Sequence, residues 1–406
     1  MKRQSGFTLI EVLVATAILV VAVAATLSAL TDAIHANQGV TLMADTQENL
    51  RAAMNYMVRD IVQAGEGIPQ GGITIPNNGL GPLGSGAPAP ANSNLNRPGL
   101  SPAALPIIQF PTTYTTLPAI SPGSGIGEPQ SNPSATVPNA FVASATGTDL
   151  ITVAYVDNTL ADTTYPPPNT HTLSEFPIYL APSASGPGCA PANPSPAPNG
   201  KMTIAGNTLT VNFDPTCINI NTGNTSIKIG DLILFQNGQG MALEVVTGVS
   251  LPTNTLVFSA AGDSFNLNAS GMPFGTIANI ETAPGSGKFP PTTATRIWMF
   301  TYYLDTQTNP AHPELMRQVN FNLPTAVGEV IEDVGISYDL TEPGSIPPEK
   351  NAPDAIFPDS VSQIRKVDLF LAARSENAYK GGTTYFRNNL ATEVNVRSLS
   401  FANQFR

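Results

Sequence analysis

One carboxylate lies in an otherwise apolar stretch near the start of the chain. Residues 7–30 read FTLIEVLVATAILVVAVAATLSAL, and Glu11 is the one ionisable residue among them. A helix over this run would be about 36 Å long, which is enough to cross the ~30 Å hydrocarbon core of a bilayer. A carboxylate there costs free energy unless it reaches interfacial water or pairs with a positive group. Glu11 therefore either reaches interfacial water or has a partner of opposite charge.

The other reactive side chains form no catalytic or metal-binding pattern. His35, His171 and His312 lie far apart in the chain, with no HExxH-like spacing. The sequence contains no nucleophile elbow and no Walker loop, so it predicts no enzyme, catalytic residue, metal or cofactor, and a membrane-anchored hydrolase is disfavoured. Cys189 and Cys217 are the two cysteines. In an oxidising compartment they form a disulfide or, alternatively, remain two free thiols.

Composition excludes several classes of protein. The 406 residues include 18 Lys and Arg against 29 Asp and Glu, which gives a formal net charge of −11. Such a chain has too few basic residues to bind nucleic acid. It holds a single long apolar run, so it is not a multi-span membrane protein, and its 42% hydrophobic residues argue against complete disorder. The 38 Pro and 34 Gly, with only 12% charged residues, favour an extracytoplasmic protein of strands and long loops.

The flanks of the apolar run predict its orientation. Lys2 and Arg3 precede the run and a mostly polar chain follows it, which places the N-terminus in the cytoplasm and the rest outside. A cleaved secretory signal peptide fits poorly, because the run begins directly after Gly6 and is too long. A plain signal anchor fits the length but leaves Glu11 unexplained.

The residues around Gly6 resemble the type IV prepilin family. The stretch GFTLIE at residues 6–11 matches that family's cleavage and methylation motif position for position, behind a short basic leader. The resemblance implies cleavage between Gly6 and Phe7 and N-methylation of Phe7. It also implies that Glu11 pairs with the Phe7 amine of a neighbouring subunit and sets the axial register of a filament. The implied partners are a prepilin peptidase/methyltransferase, other major and minor pilins, and the inner membrane.

Apolar spacing predicts that the helix continues beyond the membrane. Residues 31–64 contain no Pro, and Gly65 ends the pattern, so a continuous helix over residues 7–64 would be about 87 Å long. Its apolar face comprises Met43, Leu50, Met54, Met57, Val58 and Ile61. This face packs on a globular domain or, alternatively, pairs in a coiled coil, and Gly39 is a candidate bend.

The remaining chain combines Pro- and Gly-rich stretches with strand-like runs. Residues 66–148 predict a long excursion that is either disordered or an ordered loop, and residues 181–200 form a second Pro-rich stretch. Strands are predicted at 149–156, 202–213 (a hairpin turning at Gly206-Asn207), 226–236, 241–249, 255–259, 293–304, 314–319, 327–340, 361–373 and 390–401.

These patterns predict an α+β fold. The resemblance makes it pilin-like: a long N-terminal transmembrane and spine helix packs on an antiparallel β-sheet, with a β-rich insertion and long Pro/Gly-rich loops. The predicted parts are a leader peptide (1–6), a transmembrane segment (7–30), the continuation of the spine helix (31–65), the excursion (66–148), the insertion region (149–290) and the C-terminal sheet region of the pilin domain (291–406).

Runs in the C-terminal third are similar to PilW-type minor pilins and to J-type minor pseudopilins of type II secretion. They are WMFTYYL at 298–304, VIEDVGISYD at 330–339 and IRKVDLFLAARS at 364–375. The resemblance implies a minor pilin that takes part in type IV pilus assembly or initiation. The alternatives are a minor pseudopilin of type II secretion and a tip-located, adhesin-like pilin. The chain would first be a single-pass inner-membrane protein with its C-terminal domain outside the cytoplasm, and then part of a pilus or pseudopilus.

Overall fold

A computed structural model describes most of the chain: residues 8–69, 72–77, 97, 115–128, 147–157, 178–181, 200–213, 227–268, 272–341, 352, 361–382, 384–396 and 398. These residues form one long N-terminal helix and several antiparallel sheets, which confirms the predicted α+β fold class. The helix α1 spans Leu9–Gln63. The strands are β1 Ile73–Thr74, β2 Thr116–Leu117, β3 Ile120–Gly123, β4 Leu150–Val156, β5 Ile178–Ala181, β6 Gly200–Ala205, β7 Thr208–Phe213, β8 Leu232–Asn237, β9 Gly240–Val245, β10 Gly248–Ser250, β11 Thr255–Phe258, β12 Thr292–Asp305, β13 Glu314–Val319, β14 Thr325–Gly328, β15 Ile331–Leu340, β16 Ile364–Arg374 and β17 Arg387–Asn395.

The helix α1 is continuous over 55 residues, about 80 Å. Its interior contains no Pro, and it ends where Gly65 adopts a left-handed φ of 82°, as the sequence predicts. The helix is continuous through Gly39, and the bend suggested for that position stays a prediction.

The domain-facing stripe of α1 differs from the predicted one at its first position. Leu50, Met54, Met57 and Ile61 are buried, as predicted, but the Met43 side chain is 52% exposed. The first buried residues of the stripe, in chain order, are instead the small residues Gly39 and Thr46. At Gly39 the missing side chain leaves room for the rings of Tyr379 and Phe386, and an apolarity pattern does not detect such a position. The second half of α1 packs on the chain's own β-structure, as predicted for a spine helix.

The strands described here form three sheets. Strands β1 and β2 make a two-stranded sheet, β15–β17 make a three-stranded sheet with β16 in the middle, and β3–β14 share a 12-stranded sheet. Their pairings are antiparallel, except that β5 and β6 run parallel. The predicted hairpin at Gly206-Asn207 is confirmed, because β6 and β7 pair directly across that turn.

The long strand β12 joins two parts of the large sheet. Residues 292–297 pair with β5 on one edge and with β8 on the other. Residues 297–305 pair with β4 and β13. The part built on the second half lies under α1, where Ile151 and Val153 of β4 join the helix core. The part built on the first half has its own core, in which the Phe235 and Phe258 ring centroids lie 5.2 Å apart.

The run predicted as one strand over 327–340 is two strands separated by a turn. β14 ends at Gly328, and β15 begins at Ile331 in a different sheet. Val330 between them has φ 53°, a conformation that is unfavourable for a β-branched residue. The Asn49 side chain of α1 fixes this turn, because it donates to the Glu329 carbonyl and accepts the Glu329 N–H at 3.0 Å. A hydrophobic pattern that continues through the turn conceals the change of sheet.

Arg97 anchors part of the Pro/Gly-rich excursion on the large sheet. Its side chain is fully buried, and its Nε donates to Thr152 Oγ1 at 2.8 Å. The guanidinium also donates to the Pro122 carbonyl at 2.6 Å and to the Ser121 carbonyl. A guanidinium so bonded is tolerated in the interior because its donors are satisfied. These bonds favour the ordered-loop alternative at Arg97, and for the excursion as a whole both alternatives remain predictions.

Glu244 on β9 carries a carboxyl buried beneath the 3₁₀ turn Ile277–Ile280. The residue is 2% exposed. Burial raises the pKa of Glu244 well above the ordinary value of 4.5, and the nearby Asp263 carboxylate raises it further, while a hydrogen bond from the Ile277 N–H opposes both effects. Glu244 is thus held as a neutral acid over a pH range in which an exposed glutamate is ionised.

The free energy of unfolding should therefore fall as the pH rises above about 4.5 toward the folded-state pKa of Glu244, since the unfolded chain gives up this proton first. Glu244→Gln keeps the shape and cannot ionise, so its stability should depend less on pH in this window. Thermal unfolding of both forms in detergent, from about pH 4 to about pH 8, measures the difference. If the stability of the two proteins depended equally on pH, the result would contradict the conclusion that Glu244 is buried as a neutral acid.

Candidate functional site: the N-terminal helix

The helix begins with a capping box that contains Glu11. Thr8 is the N-cap residue and Glu11 is the third residue of the helix. A Glu11 carboxylate oxygen accepts the Thr8 N–H at 2.9 Å and the Thr8 Oγ1 hydroxyl at 2.9 Å. In a single chain the carboxylate is thus bonded by its own helix terminus, which offsets part of the cost of placing it in an apolar segment. Gly6 and Phe7 lie outside the described residues.

The first half of α1 makes no contact that buries it. Its large apolar side chains are exposed, from Leu9 at 84% to Ile34 at 50%. Within the described residues, α1 is the one helix that is long and apolar enough to cross a membrane, and the apolar window is entirely unburied. An exposed apolar surface of this size marks a membrane or protein contact.

Three threonine hydroxyl groups in or beside the apolar run donate to carbonyl groups of the helix itself. Thr16 donates to the Leu13 carbonyl and Thr26 donates to the Val23 carbonyl, both at 2.9 Å. Thr31 donates to the Leu27 carbonyl at 2.8 Å. These bonds suit a lipid environment, where an unsatisfied polar group is costly.

An aromatic clamp, formed by Tyr379 and Phe386, holds the helix where it first meets the domain. Both residues lie in the loop between β16 and β17, and their ring centroids are 5.2 Å apart. Gly39 lies under the two rings, and the His35 ring lies 6.5 Å from that of Tyr379. The helix and the loop approach this closely because residue 39 has no side chain.

Gly39→Val should destabilise the domain by about 1–3 kcal/mol, as expected when a packed contact is overfilled. Even a Cβ at position 39 would lie 3.2 Å from Tyr379 Cε2 and 3.3 Å from Phe386 Cζ. Ala36→Val adds the same side chain at an exposed position of the helix and is the control. Thermal unfolding in detergent compares them, and a Gly39→Val midpoint no lower than that of the control would contradict the clamp.

A buried ionic cluster locks the far end of the helix to the sheet. The Asp60 side chain is fully buried, and its Oδ2 accepts the Tyr302 hydroxyl at 2.6 Å and Arg317 Nε at 2.7 Å. Tyr302 and Arg317 are directly paired on β12 and β13, so both side chains leave the sheet on the same face. The Arg317 guanidinium also lies 4.1 Å from the centroid of Phe300. We call Asp60, Tyr302 and Arg317 the spine lock.

Burial and charge act together on the ionisation of the spine lock. Burial raises the pKa of Tyr302, and the Asp60 carboxylate raises it further, so the phenol keeps its proton to donate. Burial alone would lower the pKa of Arg317, but the bonds to Asp60 and Tyr302 outweigh it and leave that pKa above its ordinary value. Asp60 does not stand out in the sequence as a functional residue. The available signal was an acid three residues after Met57, on the apolar face of the helix.

Among the histidines and cysteines proposed for chemistry, His35 and His312 are described by the structure. His35 lies beside Tyr379 with its Nδ1 3.4 Å from Gln38 Oε1, and the His312 N–H donates to the Asn309 carbonyl in a turn. His171, Cys189 and Cys217 lie outside the described residues. Within the part of the chain that is described, no three His, Cys, Asp or Glu side chains are grouped as metal ligands.

Comparison with known proteins agrees with the geometry of the helix. Residues 1–27 match the family model of the prokaryotic N-terminal methylation motif. The match supports a type IV prepilin-like protein with the general role of a pilin or pseudopilin. Such a motif implies processing by a prepilin peptidase and assembly with other pilins, and it indicates a structural substrate of that peptidase rather than an enzyme. With the apolar helix, it indicates membrane anchoring through the N-terminus. No curated protein and no solved structure matches the chain.

Proposed function

We propose that this chain is a minor pilin of the PilW type that takes part in the assembly or initiation of a type IV pilus. The observation that carries the proposal is the exposed apolar half of α1, which starts at a methylation motif and bears one carboxylate. A surface of this kind is compatible with two successive environments. It lies in lipid before assembly and against neighbouring helices in a filament.

Glu11 is the residue proposed to set the axial register. In the isolated chain its carboxylate is held by Thr8 of the same helix. Cleavage between Gly6 and Phe7 creates a new amine at Phe7, which is then methylated. In the filament, Glu11 exchanges part of its own capping box for the Phe7 amine of a neighbouring subunit. A displaced register leaves both charges unpaired among apolar side chains, which is unfavourable.

The rigid connection between helix and domain supports a structural role. The aromatic clamp holds α1 near Gly39, and the spine lock holds it at Asp60, so a displacement of the helix is passed on to the β-domain. The domain is proposed to lie outside the cytoplasm, because Lys2 and Arg3 precede the apolar run. From the inner membrane the chain enters a pilus or, in the alternative, a pseudopilus.

Deleting the gene for this chain in its native cell tests the proposal. Surface filaments and secreted proteins are then measured. Loss of filaments with normal secretion is expected, with recovery by the wild-type chain and none by a cleavage-site variant, Gly6→Val. Loss of secretion with normal filaments would replace the pilus by a type II secretion pseudopilus. Normal filaments and normal secretion would contradict both roles.

A further inference from the structure

A groove separates α1 from β14, which is the last described strand on that side of the large sheet. Its volume is about 490 Å³, and it is lined by Asn49 and Tyr56 of α1, by Arg317 of β13 and by residues 325–329. Asn49 closes one end, because it bonds both backbone groups of Glu329. Over residues 325–328, about 13 Å of strand, the outer edge of β14 pairs with no other described strand. An open strand edge beside a groove accepts an extended polypeptide.

Arg317 brings hydrogen-bond donors to this groove that the spine lock does not use. Its side chain is 15% exposed, and its Nε donates to Asp60 Oδ2 and lies 3.1 Å from the Tyr302 hydroxyl. A guanidinium carries five N–H donors, four of them on the two Nη atoms. Within the described residues, those Nη atoms have no hydrogen-bond acceptor. Two parallel N–H donors of this kind bind a carboxylate in a bidentate manner.

The charge around the groove is positive at the end where Arg317 lies. Asp60 is shared by Arg317 and by Arg59, whose Nε lies 3.3 Å from Asp60 Oδ1 and whose side chain is 54% exposed. Two guanidinium groups facing one carboxylate leave an excess of positive charge there. The opposing acids, Glu329 and Glu314, lie at the other end of the groove. Glu329 is about 13 Å along β14 from the residue that pairs with Arg317.

We propose that this groove binds an extended peptide segment of a partner protein, with an Asp or Glu side chain of that segment on the Nη donors of Arg317. The edge of β14 supplies backbone hydrogen bonds, and Arg317 selects a carboxylate. The Tyr56 ring, which is 41% exposed, supplies an apolar wall beside them. The site lies on the domain and not on the apolar half of α1. It therefore goes beyond the proposed function, and its failure would leave that proposal unchanged.

Fluorescence anisotropy of a labelled peptide, mixed with the full chain in detergent, tests the site. The probe is fluorescein-Val-Thr-Glu-Val-Thr-amide, and the matched probe carries Gln in place of Glu. The wild-type chain should bind the Glu probe about tenfold more tightly than the Gln probe, because charge-assisted bidentate bonds are stronger than neutral ones.

Three variants locate the binding in the groove. Ala326→Glu places a carboxylate of the chain itself in the groove and should weaken binding of the Glu probe by about tenfold or more. Ala44→Glu makes the same change at an exposed position of α1 outside the groove and should bind like wild type. Arg317→Lys keeps the charge that pairs with Asp60 but lacks the planar pair of Nη donors, so it should lose most of the preference for the Glu probe. Thermal unfolding checks that each variant is folded.

Equal affinity of the wild-type chain for the two probes would overturn the inference. Equal binding of the Glu probe by Ala326→Glu and Ala44→Glu would overturn it as well, and this comparison leaves the spine lock intact. Sodium acetate that displaces the Glu probe as effectively as the unlabelled peptide does would assign the donors to a small free carboxylate, and it would also count against a peptide site.

Discussion

Glu11→Ala is expected to insert into the membrane as well as the wild-type chain and to lose its place in filaments. Removing a carboxylate from an apolar run favours insertion, so the defect should appear only at assembly. There the Phe7 amine of the neighbouring subunit would be buried without a partner, and incorporation should fall by more than about tenfold. Quantitative blotting measures the amount of the chain in sheared filaments relative to its amount in the membrane fraction.

Two matched variants separate the charge of Glu11 from its capping role. Glu11→Gln keeps the length and the hydrogen-bond acceptor for Thr8 but lacks the charge, so it should also fail to assemble. Thr8→Ala removes the side-chain half of the capping box and leaves the carboxylate, so it should assemble. Incorporation of Glu11→Ala at the wild-type level would contradict the pairing of Glu11 with the Phe7 amine of a neighbouring subunit.

Asp60→Ala is expected to cause a large loss of stability, because it removes the shared acceptor of the spine lock. It leaves Arg317, which is 15% exposed, and the buried Tyr302 without their shared acceptor. Breaking a buried ion pair by removing one partner destabilises by about 3–5 kcal/mol, because a charge stays buried and unpaired. Thermal unfolding in detergent should show this as a clear fall in the midpoint.

The control for Asp60→Ala is Asp45→Ala, which removes an exposed aspartate from the same helix. It should change stability by less than about 0.5 kcal/mol. Asp60→Ala/Arg317→Met removes both charges and should recover part of the loss. If Asp60→Ala were no more destabilising than Asp45→Ala, the result would contradict the conclusion that the spine lock stabilises the domain.

The local features of the fold follow closely from the sequence. The end of α1 at Gly65 and the hairpin at Gly206-Asn207 depend on residues that favour particular backbone conformations, and both are observed. The motif that begins at Gly6 is equally local, and the family match covers it. Such signals need no knowledge of distant contacts.

The features that were missed depend on distant contacts. Met43 has the right spacing for the stripe but lies where the domain does not cover the helix. The sequence near Asp60 does not reveal that this carboxylate is buried, because its partners Tyr302 and Arg317 lie on strands more than two hundred residues later. The turn at Val330 is likewise held by Asn49, far away in sequence. Hydrophobic spacing carries no information about these tertiary partners.

The most direct test of the prepilin interpretation is mass spectrometry of the N-terminus of the chain purified from membranes of its native cell. We expect a chain that begins at Phe7, lacks the six-residue leader, and carries one methyl group on its terminal amine. A cell without prepilin peptidase should yield the uncleaved chain. Recovery of an intact Met1 from normal cells, or of a chain cut beyond Leu30, would contradict the prepilin interpretation.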